Sequence, residues 1–346
     1  KQLGDFGQSI WLDYIRRDLI TSGEFQRLVE DDGVHGVTSN PTIFDRAIAA
    51  GPDYDDALRL LLAADADSDG LTLFEKLEIE NLQMAADVLR PVYDQTKGAD
   101  GFVSIEVSPR LAYDTAGSIA EAQRLWKAVN RPNLMVKIPS TVPGVQAVEA
   151  LIAEGININI TLMFSLAHYE AVAQAYVRGL KQNAKPHQVS SVASFFVSRV
   201  DTEVDRALET IGTPEALSLR GKIAIANARV VYRRFREIFL GIPFEELRSR
   251  GARLQRPLWA STGTKNPAYS DVLYVEELIG PHTINTIPPA TLNAFRDHGQ
   301  VQATLEGEER DAEQALARLA KLSIDLGAIT EKLLVDGITA FTHSCL

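Results

Sequence analysis

The sequence predicts an α/β chain built as a (β/α)8 TIM barrel with a C-terminal helical extension, as one domain spanning 1–346. Three observations lead there. Short β-branched runs alternate with helical stretches of ~12 or more residues, which implies a parallel sheet. The runs number eight, the count that closes such a barrel. The competing fold, an open doubly wound sheet, wants a Gly-rich turn after its first strand. Asp13-Tyr14-Ile15-Arg16 stands there instead.

The runs are Ser9–Asp13, Val34–Asn40, Phe102–Val107, Asn133–Ile138, Ile156–Thr161, Val189–Phe196, Pro257–Ser261 and His282–Ile287. Each is rich in Val, Ile and aromatic residues, the types that suit a pleated, half-buried surface. Between them, Phe74–Tyr93, Ile119–Val129, Val145–Glu154, Leu166–Gln182 and Leu217–Phe239 repeat apolar residues at helical spacing. From about Glu306 the chain turns charged and then amphipathic, and Ala312–Leu322 and Ile329–Leu334 read as a final helix plus a packing extension.

Composition narrows the function classes. The net charge is −11 and there is no Lys/Arg block, which argues against a nucleic-acid partner. No apolar run approaches the ~18 residues of a membrane span, and no charged-then-apolar leader is visible. The single cysteine, Cys345, rules out an intrachain disulfide and a thiolate metal site, and suits a reducing, cytoplasmic setting. The sequence leaves monomer and homodimer open.

The most telling feature is Lys137, inside the apolar run Asn133-Leu134-Met135-Val136-Lys137-Ile138-Pro139. Lysine is almost never buried without a partner or a task. Burial penalises charged forms, and a neutral amine is the nucleophile that attacks a carbonyl to form a Schiff base. The bland alternative is a buried ion pair. Strand side chains alternate, so residues two apart share a face. On the fifth strand Ile156, Ile158 and Ile160 oppose Asn157, Asn159 and Thr161; on the third, Val103, Ile105 and Val107 oppose Phe102, Ser104 and Glu106. Packing the aliphatic faces under the helices leaves Asp13, Glu106, Lys137, Asn159 and Thr161 pointing into the barrel. All lie at C-terminal strand ends, where barrel enzymes place their chemistry. Burying so many polar groups from four strands is costly for structure alone. An amine, two carboxyls, an amide and a hydroxyl are the parts a Schiff-base site needs.

The same residues carry a resemblance. Gly36-Val37-Thr38-Ser39-Asn40-Pro41-Thr42, Val103-Ser104-Ile105-Glu106-Val107, Leu134-Met135-Val136-Lys137-Ile138-Pro139 and Gly155-Ile156-Asn157-Ile158-Asn159-Ile160-Thr161-Leu162 resemble transaldolases. The bacterial branch has a first strand like Gln8-Ser9-Ile10-Trp11-Leu12-Asp13, and the resemblance runs from about residue 7 to at least 290. It implies a class I, metal-free Schiff-base enzyme of the pentose phosphate pathway that needs no cofactor. Such an enzyme moves a dihydroxyacetone unit from sedoheptulose 7-phosphate to glyceraldehyde 3-phosphate, giving erythrose 4-phosphate and fructose 6-phosphate. By resemblance Lys137 is the Schiff-base lysine, Glu106 the acid/base acting through a water, and Asp13 the carboxylate handling the C4 hydroxyl proton. Thr161 would stand beside the catalytic water, Asn40 and Asn159 would hold donor hydroxyls, Ser194 would be a substrate-binding hydroxyl on the sixth strand, and Arg199 would bind phosphate.

One stretch departs from the pattern. The better-known branch has Ser-x-Arg after the seventh strand; here Ala260-Ser261-Thr262-Gly263-Thr264-Lys265-Asn266 leaves Ser261 and Lys265 for the second phosphate contact. The alternative enzyme, a fructose-6-phosphate-cleaving aldolase, tends to carry Gln in place of Glu106 and Tyr in place of Phe196. A catalytically silent scaffold would have lost Lys137, Glu106 or Asp13. The six histidines lack ligand spacing, and His168 and Tyr169 are expected to pack on a helix. Arg233, Arg234 and Arg236 form a basic helix face, solvated or at an oligomer contact. Trp126 reads as core and Trp259 as pocket wall.

Overall fold

The structure, a computed structural model, describes residues 1–49, 51–65 and 68–344. Eight parallel strands close into a barrel in chain order: β1 (Gln8–Leu12), β2 (Val34–Val37), β3 (Phe102–Glu106), β4 (Leu134–Pro139), β5 (Ile158–Met163), β6 (Ser191–Phe196), β7 (Arg256–Ala260) and β8 (Thr283–Ile287). β8 pairs back on β1 from Gln8↔Thr283 to Leu12↔Ile287. The longer helices are α1 (Pro41–Ala49), α2 (Asp55–Ala64), α3 (Gly70–Gln95), α4 (Thr115–Val129), α5 (Val142–Glu154), α6 (Leu166–Gln182), α7 (Ser198–Ile211), α8 (Ile223–Phe235), α9 (Pro289–His298), α10 (Glu309–Lys321) and α11 (Leu326–Ser344). Among the described residues, no helix is long and apolar enough to cross a membrane. Cys345 lies outside the described residues.

Each strand expected from the sequence forms, within a few residues at its ends. β4, β5 and β6 are buried on both faces, as a sheet covered by helices and filled by its own interior must be. Short loops at the C-terminal strand ends are closed by side-chain caps. Asp114, Thr141 and Ser165 accept N–H bonds from Gly117, Gly144 and His168 at 3.0, 3.0 and 3.1 Å. Each removes an orphan donor of a helix start and fixes where the preceding strand ends.

Two expectations change. The pattern read as one helix over Leu217–Phe239 is broken: Pro214–Leu217, α8 and a π-turn at Arg236–Leu240 follow one another. The break is at Gly221, whose φ of +68° sets its backbone against the Tyr269 ring. Buried carboxylates take the freed donors: Asp205 Oδ1 accepts from Gly221 N at 3.1 Å and Asp201 Oδ1 from Ala224 N at 2.7 Å. The arginine face lies at the surface, its side chains part-exposed and ion-paired. Arg233 pairs with Glu313, Arg234 with Glu170 at 2.7 Å, and Arg236 with Glu309 at 3.3 Å, tying α8 and the π-turn after it to α10 and α6. Trp259 is no pocket wall. It is fully buried and packs edge-to-face on Phe195, its register partner, on the face opposite Ser194.

The C-terminal extension does more than pack. α11 touches α1, the turn Pro109–Leu111, β5 and α7, elements that follow or end β2, β3, β5 and β6. It therefore lies at the C-terminal end of the barrel. His168 Nε2 and Glu331 of α11 are 2.7 Å apart, so the residue expected to pack on a helix also anchors this extension.

Candidate active site

The site grows out of the strand register. Glu106 on β3 is paired with Lys137 on β4, and Lys137 with Asn159 on β5. Paired residues of parallel neighbours share a face, so an acid, an amine and an amide sit side by side inside the barrel. Beneath them the interior is filled by Trp11, fully buried, whose Nε1 donates to Asp100 Oδ1 at 2.8 Å. Gly36 on β2 makes room for it, since a Cβ there would collide with the indole.

Lys137 is 5% exposed. Its Nζ donates to the Ser39 carbonyl at 2.9 Å and stands 3.5 Å from Glu106 Oε2. The Ser39 hydroxyl in turn donates to the Ser104 carbonyl at 3.1 Å. Burial pushes the Glu106 carboxyl above the ordinary carboxylate range, the adjacent Lys137 opposing it only in part. A carboxyl so shifted exchanges its proton nearer neutral pH, as general acid–base work requires.

Asp13 follows β1 and accepts from the Thr38 hydroxyl at 2.8 Å; Thr38 and Thr286 hydroxyls are 2.6 Å apart. Desolvation raises Asp13 as well. Lys137, the Thr38 hydrogen bond, Arg199 and Lys265 pull the other way. Those electrostatic couplings bring three sequence-predicted residues, Lys137, Arg199 and Lys265, to one carboxyl. Arg199, in the first turn of α7, lies over the Phe196 ring at 5.2 Å, a cation–π contact that orients its fork. Lys265 is exposed. Ser261 adopts a φ of +55°, and its hydroxyl is 3.0 Å from that of Ser198, next to Arg199.

Asn159 is fully buried between two hydroxyls: its Nδ2 donates to Ser104 at 3.1 Å and its Oδ1 accepts from Ser194 at 2.6 Å. Thr161 is buried two residues on; its Oγ1 and Oε2 of Glu106 have no hydrogen-bond partner among the described residues. Buried polar atoms in that condition are costly, and both are suited to receive a substrate or water. Asn40 stands further out, its Oδ1 accepting from Ile43 N at 3.0 Å at the start of α1. The sequence reading missed Ser39, Thr38, Thr286, Ser104 and Glu78. The first two stood in the Thr-Ser-Asn-Pro stretch and Ser104 on the inward face of β3. Glu78 had only its place on the mostly apolar inward stripe of α3. Among the described residues, no group of three or more His, Cys, Asp or Glu is placed to hold a metal.

Comparison with known proteins bears on the same residues. A family model described as transaldolase/fructose-6-phosphate aldolase matches residues 10–345. A transaldolase of Thiobacillus denitrificans is 49% identical over 348 residues, 99% of this chain and 96% of the relative. One from Mycobacterium ulcerans is 47% identical over 98% of this chain and 92% of its own length, and one from Thermobifida fusca 47% identical over 99% and 94%. The likeness extends across all eight strands and through the C-terminal helices, and the chain belongs to the transaldolase/fructose-6-phosphate aldolase family.

Proposed function

We propose that the chain transfers a dihydroxyacetone unit from sedoheptulose 7-phosphate to glyceraldehyde 3-phosphate through a Schiff base on Lys137. Family membership makes it an enzyme, a transaldolase and thus a transferase. The observation that carries the assignment of roles is the Lys137–Glu106 pair at 3.5 Å, buried at the C-terminal end of adjacent strands.

In this reading the Lys137 amine attacks the donor ketone, and Glu106 returns a proton to the departing hydroxyl so that water leaves and an iminium forms. Asp13 takes the proton of the C4 hydroxyl. The bond between C3 and C4 breaks, its electron pair moves toward the iminium nitrogen, and the shortened aldehyde departs. The enamine then attacks the aldehyde carbon of the acceptor, Asp13 gives its proton back, and hydrolysis frees Lys137. Asn159, held by Ser104 and Ser194, and Asn40 bind donor hydroxyls. Thr161 holds the water used by Glu106. Arg199, Ser261 and Lys265 bind the phosphate. No cofactor enters these steps. The enzyme works in the cytoplasm, without nucleic acid or membrane partners, as a single catalytic domain.

Glu106 and Phe196 favour transfer over outright cleavage to free dihydroxyacetone. The deciding assay is erythrose 4-phosphate-dependent consumption of fructose 6-phosphate. Turnover of fructose 6-phosphate without any acceptor would replace this reading with the aldolase. Lys137→Arg is expected to abolish turnover, because a guanidinium is not deprotonated in a protein. A borohydride-reduced adduct mapped to any other lysine would overturn the assignment.

A further inference from the structure

Behind the Glu106–Lys137 pair lies a third ionisable group that the mechanism above does not use. Glu78 is on the inward stripe of α3, with Leu77, Asn81 and Leu82 buried around it. It is 9% exposed. α3 packs on β2 and β3, which sets this stripe against the strand that ends in Glu106. The groups that act on Glu78 electrostatically are Glu106 from β3, Glu75 from its own helix and Lys137 from β4. Glu75 is already matched by a bidentate pair with Arg124 of α4, at 2.6 and 2.7 Å. Asn81, one turn on, gives its amide to Tyr54 at 2.7 Å and not to Glu78. Among the described residues, no hydrogen bond to the Glu78 carboxyl is found. Glu106 and Glu78 thus share one buried ammonium, which Asp13 also draws on, while Arg199 and Lys265 act on Asp13 and not on these two glutamates.

One cation cannot balance two anions where water is excluded, and burying an uncompensated charge is costly. One of the carboxyls must keep its proton. Glu106 is the one in ion-pair contact with Nζ. We infer that Glu78 is a positioning residue for the acid–base step: it holds its proton behind Glu106, so that Glu106 alone ionises beside Lys137. The inference rests on the Schiff-base reading of Lys137. Burial and the charge of Glu106 push Glu78 up to about 8, which keeps it neutral through the neutral range. Two carboxyls pushed to different proton affinities are the usual arrangement for dividing acid–base roles. When Glu78 does ionise, its like charge drives the proton back onto Glu106, because coupled sites titrate as a pair. Schiff-base formation should then slow.

The test is the pH dependence of Schiff-base formation, read by quenching the full-length enzyme with borohydride at timed intervals after adding fructose 6-phosphate. The wild type should show an alkaline ionisation that Glu78→Gln lacks. The variant-to-wild-type rate ratio should rise between pH 7 and pH 9, on the order of tenfold for each unit of coupling. A helix glutamate with a purely structural role would leave the profile's shape unchanged, so superimposable profiles overturn the inference. A wild type that forms no adduct on Lys137 at all instead removes the Schiff-base reading, and the two failures are separable. Should Glu78→Gln not fold, Glu106→Gln carries the test from the other side. With no carboxyl at position 106 to take the proton, the alkaline ionisation should vanish from the profile of Glu106→Gln; an alkaline ionisation that persists there overturns the inference.

Discussion

At the scale of single residues, chemistry is divided by strand of origin. Glu106 lies 3.5 Å from the Lys137 amine, whereas Asp13 enters from β1, oriented by the Thr38 hydroxyl at 2.8 Å. Both carboxyls are raised by burial, so both hold protons better than surface acids do, and the proposed mechanism gives them different protons of the ketose to move. Glu106→Gln should slow adduct formation and hydrolysis by about 10²–10⁴-fold, the range for loss of a general acid–base group. Asp13→Ala should form the borohydride-trappable adduct and fail to release the aldehyde, so the adduct accumulates. If Asp13→Ala forms no adduct, the two roles are not separate. The strand period made Asp13, Glu106, Lys137, Asn159 and Thr161 readable in advance, because alternation alone assigns each a face. Ser39, Thr38 and Glu78 were not readable that way. They come from a loop and from a helix packed outside the sheet, and only the three-dimensional path sets Ser39 against Lys137 and Thr38 against Asp13.

At the scale of elements, the strands and the uninterrupted helices follow from local pattern. Leu166–Gln182 starts at the Ser165 cap and ends where the apolar spacing says it should. The segment 217–239 does not, because its spacing continues through a break made by tertiary contacts. Asp201 of α7, 1% exposed, is central to that break. It accepts from Ala224 N at 2.7 Å and from the Tyr274 hydroxyl at 2.9 Å. Burial nevertheless pushes it up to about 7, with the charge of Asp205 adding to the effect. A carboxyl whose proton affinity is higher folded than unfolded stabilises fully below its unfolded value of 3.8. That contribution is lost as pH rises through about 7. At about 1.4 kcal/mol per unit, the loss amounts to a few kcal/mol. Asp201→Asn cannot ionise. The Tm difference between variant and wild type should therefore move in the variant's favour from pH 5 to pH 8. A constant difference would mean that Asp201 titrates as an ordinary surface acid.

At the scale of the whole molecule, the charge distribution opposes the proposed ligand. The net charge is −11, and an incoming sugar phosphate meets that field before it meets the barrel mouth. Local cations must overcome it, and loops after late strands commonly build the phosphate site of such barrels. Arg199 follows β6 and Lys265 follows β7, both close enough to Asp13 to act on its charge. Arg199 is oriented by Phe196 and can hold two phosphate oxygens at once, whereas Lys265 is an exposed point charge. Charge-assisted hydrogen bonds contribute roughly 1.5–3 kcal/mol, so removing one cation should cost about one to two decades in KM. Arg199→Ala should show the larger loss. The phosphate lies remote from the bond that breaks, so most of the effect belongs in KM, with a part in kcat if phosphate binding also positions the ketone. The decisive comparison sets Arg199→Ala and Lys265→Ala against fructose 6-phosphate and unphosphorylated fructose, since lost phosphate contacts erase discrimination between the two sugars. Salt gives an independent check, because screening weakens an exposed cation more than a half-buried one. The wild-type KM for fructose 6-phosphate should rise with ionic strength, and less steeply in Lys265→Ala. An unchanged KM and an unchanged salt slope in Lys265→Ala would place the second phosphate contact elsewhere than the loop after β7.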